Sequence, residues 1–290
     1  VASGPFGEPG NGLTGRTYGL PRFAEASFQA RFPFATVSLS DPAMPVTVEL
    51  TGWSPFTPGT ADDSSLPVAA IEYRFANRSS KAVKAVFSFH SANFMKIGDG
   101  AGIRVIENGF VLSQPALPNQ PEAEGSLAAF TDDPATAVDA AWFRSGWFDA
   151  LTMVWNRVAA GEVVSQPPHA EGAPGSGGSL YVPFTLKAGA EKTIRLHLAW
   201  HVPRSAVRAG DCGSGCDCSA GGAAVESPYY TPWYAAHFAT LAEVVSHWRL
   251  HYDRLRAASV AFRDCFYDTT LPTEVVESVA ANLAILKSPT

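Results

Sequence analysis

LYVPFTLKAGAEKTIRLHLAWHVP, residues 180–203, is the stretch that decides the fold. Two extended runs flank LKAGAEK, whose glycine marks a turn. Strand, tight turn, strand is a pairing common in two-sheet sandwiches. The same pattern continues upstream. ATVSLS (35–40) and VTVEL (46–50) alternate apolar and polar residues around the turn DPAMP. PVAAIEYRFANRS (67–79) is extended. KAVKAVFSFHSAN (81–93) follows the turn NRSSK, with Val83, Val86, Phe87 and Phe89 along it. LTMVWN (151–156) reads as a further strand. Turn signals recur roughly every 8 to 15 residues, and no helical pattern of useful length interrupts them. The sequence therefore predicts a mainly β fold, an antiparallel two-sheet β-sandwich. Residues 114–125 and 165–179, rich in Pro, Gly and Glu, read as long surface loops.

Near residue 230 the periodicity changes. Thr231 is suited to cap a helix and Pro232 to occupy its first position. Tyr234, Phe238, Leu241, Val245, Trp248, Tyr252 and Leu255 then recur at steps of three and four. This predicts one long amphipathic helix whose apolar face is for packing, not for a cofactor. At the C-terminal end, Pro272 and Glu274 open a second helix. Val275, Val276, Val279, Ala280, Leu283 and Leu286 form its stripe. A stripe of that length calls for a partner surface.

Of the 290 residues, 46% are hydrophobic and 17% charged, the composition of a chain with a real core. The net charge is −6 and no Lys/Arg cluster exists, which argues against nucleic-acid binding. No apolar run has the length of a transmembrane helix. VASGPFGEPGNG, at the start, lacks the basic and apolar regions of a signal peptide. Together with cysteines that look unpaired, this favours the cytoplasm. Cys212, Cys216 and Cys218 in DCGSGCDCSAGG lack a usual zinc spacing and read as a surface loop, with or without a local disulfide. Cys265, in an aromatic context, reads as a core thiol.

Phosphate-binding, dinucleotide, zinc-protease and nucleophile-elbow motifs are all missing from the sequence. His247 and His251 lie four apart on the long helix, but a third ligand is lacking, so no metal site and no cofactor are expected. Glycoside cleavage uses two carboxyl groups flanking the bond. Asp62–Asp63 and Asp132–Asp133 are sequence neighbours, which point to opposite faces of an extended segment. Both pairs read as turn formers. Trp142, Trp147 and Trp155 are not spaced for a single strand face and read mainly as core and domain-contact aromatics.

Two segments carry a resemblance: WSPFTPGTADDSSLPVAAIEY (53–73) and DCFYDTTLPTEVVESVAANLAILKSPT (264–290). GLPRF (19–23), residues 28–50, residues 186–203 and SPYYTPWYAAHF (227–238) support it in order. Across nearly its whole length the chain resembles glycoside hydrolase family 116. That family holds bacterial β-glucosidases and the animal non-lysosomal glucosylceramidases, or bile-acid β-glucosidases. The resemblance implies an N-terminal sandwich over residues 1–228, with its opening strands missing, and a linker helix over 229–262. Residues 263–290 would be the first helix of a truncated catalytic (α/α)6 barrel. The family cleaves β-glucosides with retention through a Glu and an Asp in that barrel. No position here matches their motifs, so no catalytic residue is assigned. The implied substrate is a β-glucoside reached through the missing domain, with peripheral membrane contact if it is a glycolipid. Trp53, Asp63 and Asn93 are the candidates for domain-facing positions. The alternative is a stand-alone carbohydrate-binding or protein-interaction module.

Overall fold

The computed structural model describes residues 21–144, 149–206 and 229–287. The Cys212/Cys216/Cys218 segment, Trp147 and any strand before residue 21 lie outside them. The chain passes through β1 (Glu25–Arg31), β2 (Phe34–Ser40), β3 (Val46–Trp53), α1 (Ala61–Ser64), β4 (Val68–Asn77) and β5 (Val83–Ala92). There follow β6 (Gly102–Ile106), β7 (Gly109–Gln114), β8 (Gly125–Thr131), β9 (Ala137–Asp139), α2 (Ala150–Ala159), β10 (Gly177–Leu186) and β11 (Glu191–His201). The helices α3 (Trp233–His237), α4 (Leu241–Tyr267) and α5 (Thr273–Leu283) come last.

Eight strands form one sheet, in the order β1-β2-β3-β4-β11-β8-β7-β6, and β5-β10-β9 form a second. Every ladder in both is antiparallel. Alternation along the strands assigns each side chain a face. Phe110, Leu112, Ala129, Ile194 and Leu196 meet Phe87, Leu180 and Val182 of the smaller sheet in one core. The intervening residues Val111, Ala128, Phe130 and Ala199 point the other way and pack, with Phe34, Trp53, Val68 and Ala70, under α4. The central sheet is thus covered on both faces, by strands on one and by a helix on the other.

LKAGAEK makes the predicted turn, with Gly189 at φ +70°. It does not close a hairpin. β10 lies in the small sheet and β11 in the large one, so this turn carries the chain across the sandwich. Gly178 faces the large sheet at a point with no room for a side chain. A Cβ there would come within 2.6 Å of Ile103 Cδ1 and 3.0 Å of the Phe110 ring.

Several sequence expectations are corrected. LTMVWN is not a strand but the body of α2, capped by the Asp149 carboxylate accepting from the Thr152 amide at 2.9 Å. The apparent alternation over six residues masks Leu151, Val154 and Val158 at helical spacing. Asp62 and Asp63 form a turn, but a helical one, α1, and not an extended segment. The stripe from Tyr234 to Leu255 spans two helices. α3 ends at His237, and α4 starts afresh at Leu241 under the Thr240 cap. Thr240 accepts from the Glu243 amide, and the Glu243 carboxylate accepts from the Ala239 amide, so a local exchange of caps defines this start. Cys265 is not a core thiol; it is free and exposed on the outer side of α4. In α5 only Val276 and Ala280 of the predicted stripe are buried, while Val275, Val279 and Leu286 are exposed.

Candidate functional site

The most elaborate polar geometry lies where α4 meets the large sheet. The buried face of α4 is Leu241, Val244, Trp248, Tyr252, Leu255 and Ser259, which recur at steps of three and four. The middle of this contact is aromatic. Trp53 stacks on Phe34 at 5.6 Å between ring centroids and meets Trp248 at 5.4 Å and Tyr252 at 5.3 Å. The imidazole of buried His197 stacks on Phe130 at 5.0 Å and meets the edge of Tyr252 at 4.9 Å.

Glu72 sits among these rings. It shares a face with Thr51 and Arg195 through the ladder. A carboxylate beneath a helix is costly unless paired and hydrogen-bonded. Here Arg256 donates from Nε to Oε1 at 2.6 Å and from Nη2 to Oε2 at 2.9 Å. Tyr252 Oη donates to Oε1 at 2.6 Å, and Trp53 Nε1 at 3.2 Å. Burial alone would raise the Glu72 carboxyl, but these donors and the Arg256 charge outweigh it and hold it below the ordinary value. Burial and the adjacent Glu72 push the Tyr252 phenol far up.

A second pairing borders the first. Asp132 accepts from His197 Nε2 at 2.9 Å. Burial works to raise Asp132, but the His197 contact and the charges of His197, Arg195 and Arg249 hold it down. Further along α4, Arg254 grips Asp63 of α1 with both Nη atoms, at 2.7 and 3.0 Å. That hydrogen bond is the main reason the Asp63 carboxyl lies below its usual value; burial opposes it, and the charges of Arg254, His247 and His251 add to it. At the far end, the Phe32 amide donates to Tyr267 Oη at 3.1 Å, and Arg31 pairs with Glu277 of α5 at 2.7 Å.

Trp53 and Asp63 therefore both touch α4. Asn93 does not. It lies past the end of β5, where its Nδ2 donates to the Gly102 carbonyl at 3.1 Å and the Ser113 carbonyl at 3.3 Å, tying a loop to β6 and β7. The sequence reading passed over Glu72 and its partners on α4. Their signal was a lone Glu in the apolar run VAAIEYRF, facing Tyr252 and Arg256 at helical spacing of four.

These carboxylates are arranged for attachment. Glu72 and Asp63 are each held ionised by an arginine, a poor state for a general acid at neutral pH. Among the described residues, no three or more His, Cys, Asp or Glu side chains gather to hold a metal ion.

The outer face of the small sheet carries a separate polar network. Ser179 Oγ lies 2.8 Å from both Trp142 Nε1 and His90 Nδ1, and His90 Nε2 lies 2.9 Å from Ser88 Oγ. Burial pushes the His90 imidazole down to about 4. Nearby, fully buried Asp139 pairs with Arg157 of α2 at 2.6 Å. An open cleft of about 610 Å³ adjoins this network, lined by residues including Lys84, Ser88, Glu162, Tyr181 and Thr185.

The model of a family described as beta-glucosidase 2, glycosyl-hydrolase family 116 N-term, matches residues 7–255. No curated protein matches the chain. Among solved structures, one described as "Putative kojibiose phosphorylase from human microbiome" is 12% identical, with a TM-score of 0.32, over 61% of this chain and 20% of that one. The chain spans a fifth of the length of that structure.

Proposed function

The chain belongs to glycoside hydrolase family 116 through its N-terminal domain, and on that premise we propose that it is the scaffold portion of a retaining β-glucosidase. In this reading residues 1–228 are the sandwich, α4 serves as the linker helix, and α5 is the first helix of an (α/α)6 barrel that continues beyond residue 290. The observation that carries it is the attachment of both helices to the sandwich. α4 is fixed through Glu72, Arg256, Tyr252 and Trp53, and α5 through Arg31 and Glu277. α5 is held with Val275 and Val279 about half exposed, a face suited to further helices. Trp53 and Asp63 act in this junction, whereas Asn93 ties the loop after β5 to β6 and β7.

The substrate class comes from the family: a β-glucoside bound in the barrel, the aglycone being either simple or a glycolipid such as glucosylceramide. With a glycolipid, contact with the membrane is peripheral. No helix among the described residues is long and apolar enough to cross one. The exposed free thiol of Cys265 supports a reducing compartment such as the cytoplasm.

An assay on an aryl β-glucoside tests the reading. The intact gene product should hydrolyse it with retention, and residues 1–290 alone should be inert. Hydrolysis by residues 1–290, or an intact product without β-glucosidase activity, overturns it. The cleft beside Tyr181 favours one alternative, a carbohydrate-binding module without catalysis. Calorimetry of residues 1–290 with millimolar glucosides reads that out directly as saturable heat or none.

A further inference from the structure

His247 and His251 stand one turn apart on α4, both half-buried, with ring centroids 4.4 Å apart and planes inclined at 54°. The rings of His90, His169, His197 and His201 each hydrogen-bond to a protein atom. His237 contacts the Trp233 ring instead, and His247 and His251 also have aromatic partners, each other and, for His247, the Phe238 ring at 5.2 Å. Among the described residues, their four ring nitrogens make no protein hydrogen bond. The Asp63 carboxylate lies close enough to feel the charge of both imidazoles.

Two imidazoles at a right angle about one ion have centroids about 4.4 Å apart, given a metal–nitrogen distance of about 2.0 Å and a nitrogen about 1.1 Å from its ring centre. At the tetrahedral angle the centroids move to about 5.1 Å. The observed 4.4 Å leaves both rings within reach of one ion, and the two residues stand one helical turn apart. Right-angled nitrogen donors are the preference of Cu²⁺ and Ni²⁺, which also stand high in the affinity order for such ligands.

We propose that His247 and His251 form a two-imidazole chelate for a late first-row divalent ion of tetragonal preference, Cu²⁺ or Ni²⁺, on the side of α4 near α1. Water completes the coordination, since the nearby Asp63 carboxylate is already paired with Arg254. The ion clips one turn of the helix that packs along the large sheet and leads to α5. The site is independent of the glycosidase reading.

The test is calorimetric titration of the 290-residue chain with Ni²⁺. Cys212, Cys216, Cys218 and Cys265 are changed to Ser to remove competing thiolates. One saturable site tighter than about 100 µM is expected, and His247→Gln or His251→Gln should each weaken it about tenfold or more. Electron-spin-echo spectra of the Cu²⁺-loaded chain, without either His substitution, should show two imidazole nitrogens. No saturable site, binding undiminished by both substitutions, or fewer than two imidazoles overturns the proposal. If both variants fail to fold, an imidazole count below two still overturns the proposal.

Discussion

Toward the small sheet, the central sheet presents Phe110, Leu112, Ala129, Ile194 and Leu196, a buried layer without a charge. Toward α4 it presents Phe34, Trp53, Ala70, Phe130 and Ala199 together with Glu72, Arg195 and His197. Both layers exclude water, yet they are built for different ends. The first can be satisfied by any well-filled apolar volume. The second adds directional bonds that fix which residue of α4 lies over which strand. It also tolerates loose ends. Trp248 Nε1 and His197 Nδ1 are buried there without a hydrogen-bond partner. A pure packing layer holds a fold together, whereas a layer of rings and ion pairs also sets an angle.

Truncating the largest side chain on each face gives the strongest test of this contrast. Phe110→Ala and Trp248→Ala should each cost about 3–5 kcal/mol by urea unfolding. Hydrogen exchange should separate them. The Phe110 variant should speed exchange in β5, β7 and β10, while the Trp248 variant should release α4 first. Equal exchange across both layers in either variant would show one cooperative core and abolish the distinction.

The two layers were not equally legible. The apolar layer could be read from alternation in sequences such as KAVKAVFSFHSAN, because a strand with one dry face must repeat every two residues. The aromatic half of the other layer was visible in the Trp248/Tyr252/Leu255 stripe. Its ionic half was not, since Glu72 bonds across 180 and 184 residues to Tyr252 and Arg256, and no local rule pairs them. α2 was misread because six residues cannot separate a period of two from one of 3.6 when aromatic and β-branched side chains favour both readings. The break at Phe238–Thr240 depended on a cap that only the folded chain displays.

Glu72→Gln sharpens the comparison at the next scale. It leaves Arg256 half-exposed with a neutral partner and should cost about 2 kcal/mol, discounted for the water that reaches Arg256. A double-mutant cycle with Arg256→Met should recover at least half of that loss as coupling. A coupling near zero would reduce the pair to decoration.

The polar network on the outer face of the small sheet and the layer under α4 should also respond to acid in different windows. The folded-state value of His90 is about 4, against 6.5 for an exposed imidazole. Its contribution is present above 6.5 and is lost as pH falls from there toward 4, amounting to about 3 kcal/mol. Glu72 and Asp132 are likewise lowered from ordinary carboxyl values. Their contribution is therefore present above those values and lost only as pH falls below them. Urea midpoints should decline in two stages, with His90→Gln removing the first and Glu72→Gln part of the second. A single stage untouched by His90→Gln would mean that the buried imidazole is solvated.

The weakest link is the most informative about the helices. Arg31 and Glu277 are 39% and 40% exposed, so the pair contributes only about 0.2–1 kcal/mol and should fade with salt. Global stability will barely register Arg31→Ala. Local exchange should register it, because α5 buries only Val276 and Ala280 and has few other holds on the sandwich. Amides of residues 273–283 should exchange about twofold to fivefold faster in the variant at low salt, and equally fast with or without it at 1 M NaCl. The charge-reversed pair Arg31→Glu/Glu277→Arg should restore slow exchange. If α5 is unmoved by all three, packing of Val276 and Ala280 alone orients it, and the β1–β2 hairpin is a neighbour of the junction instead of part of it.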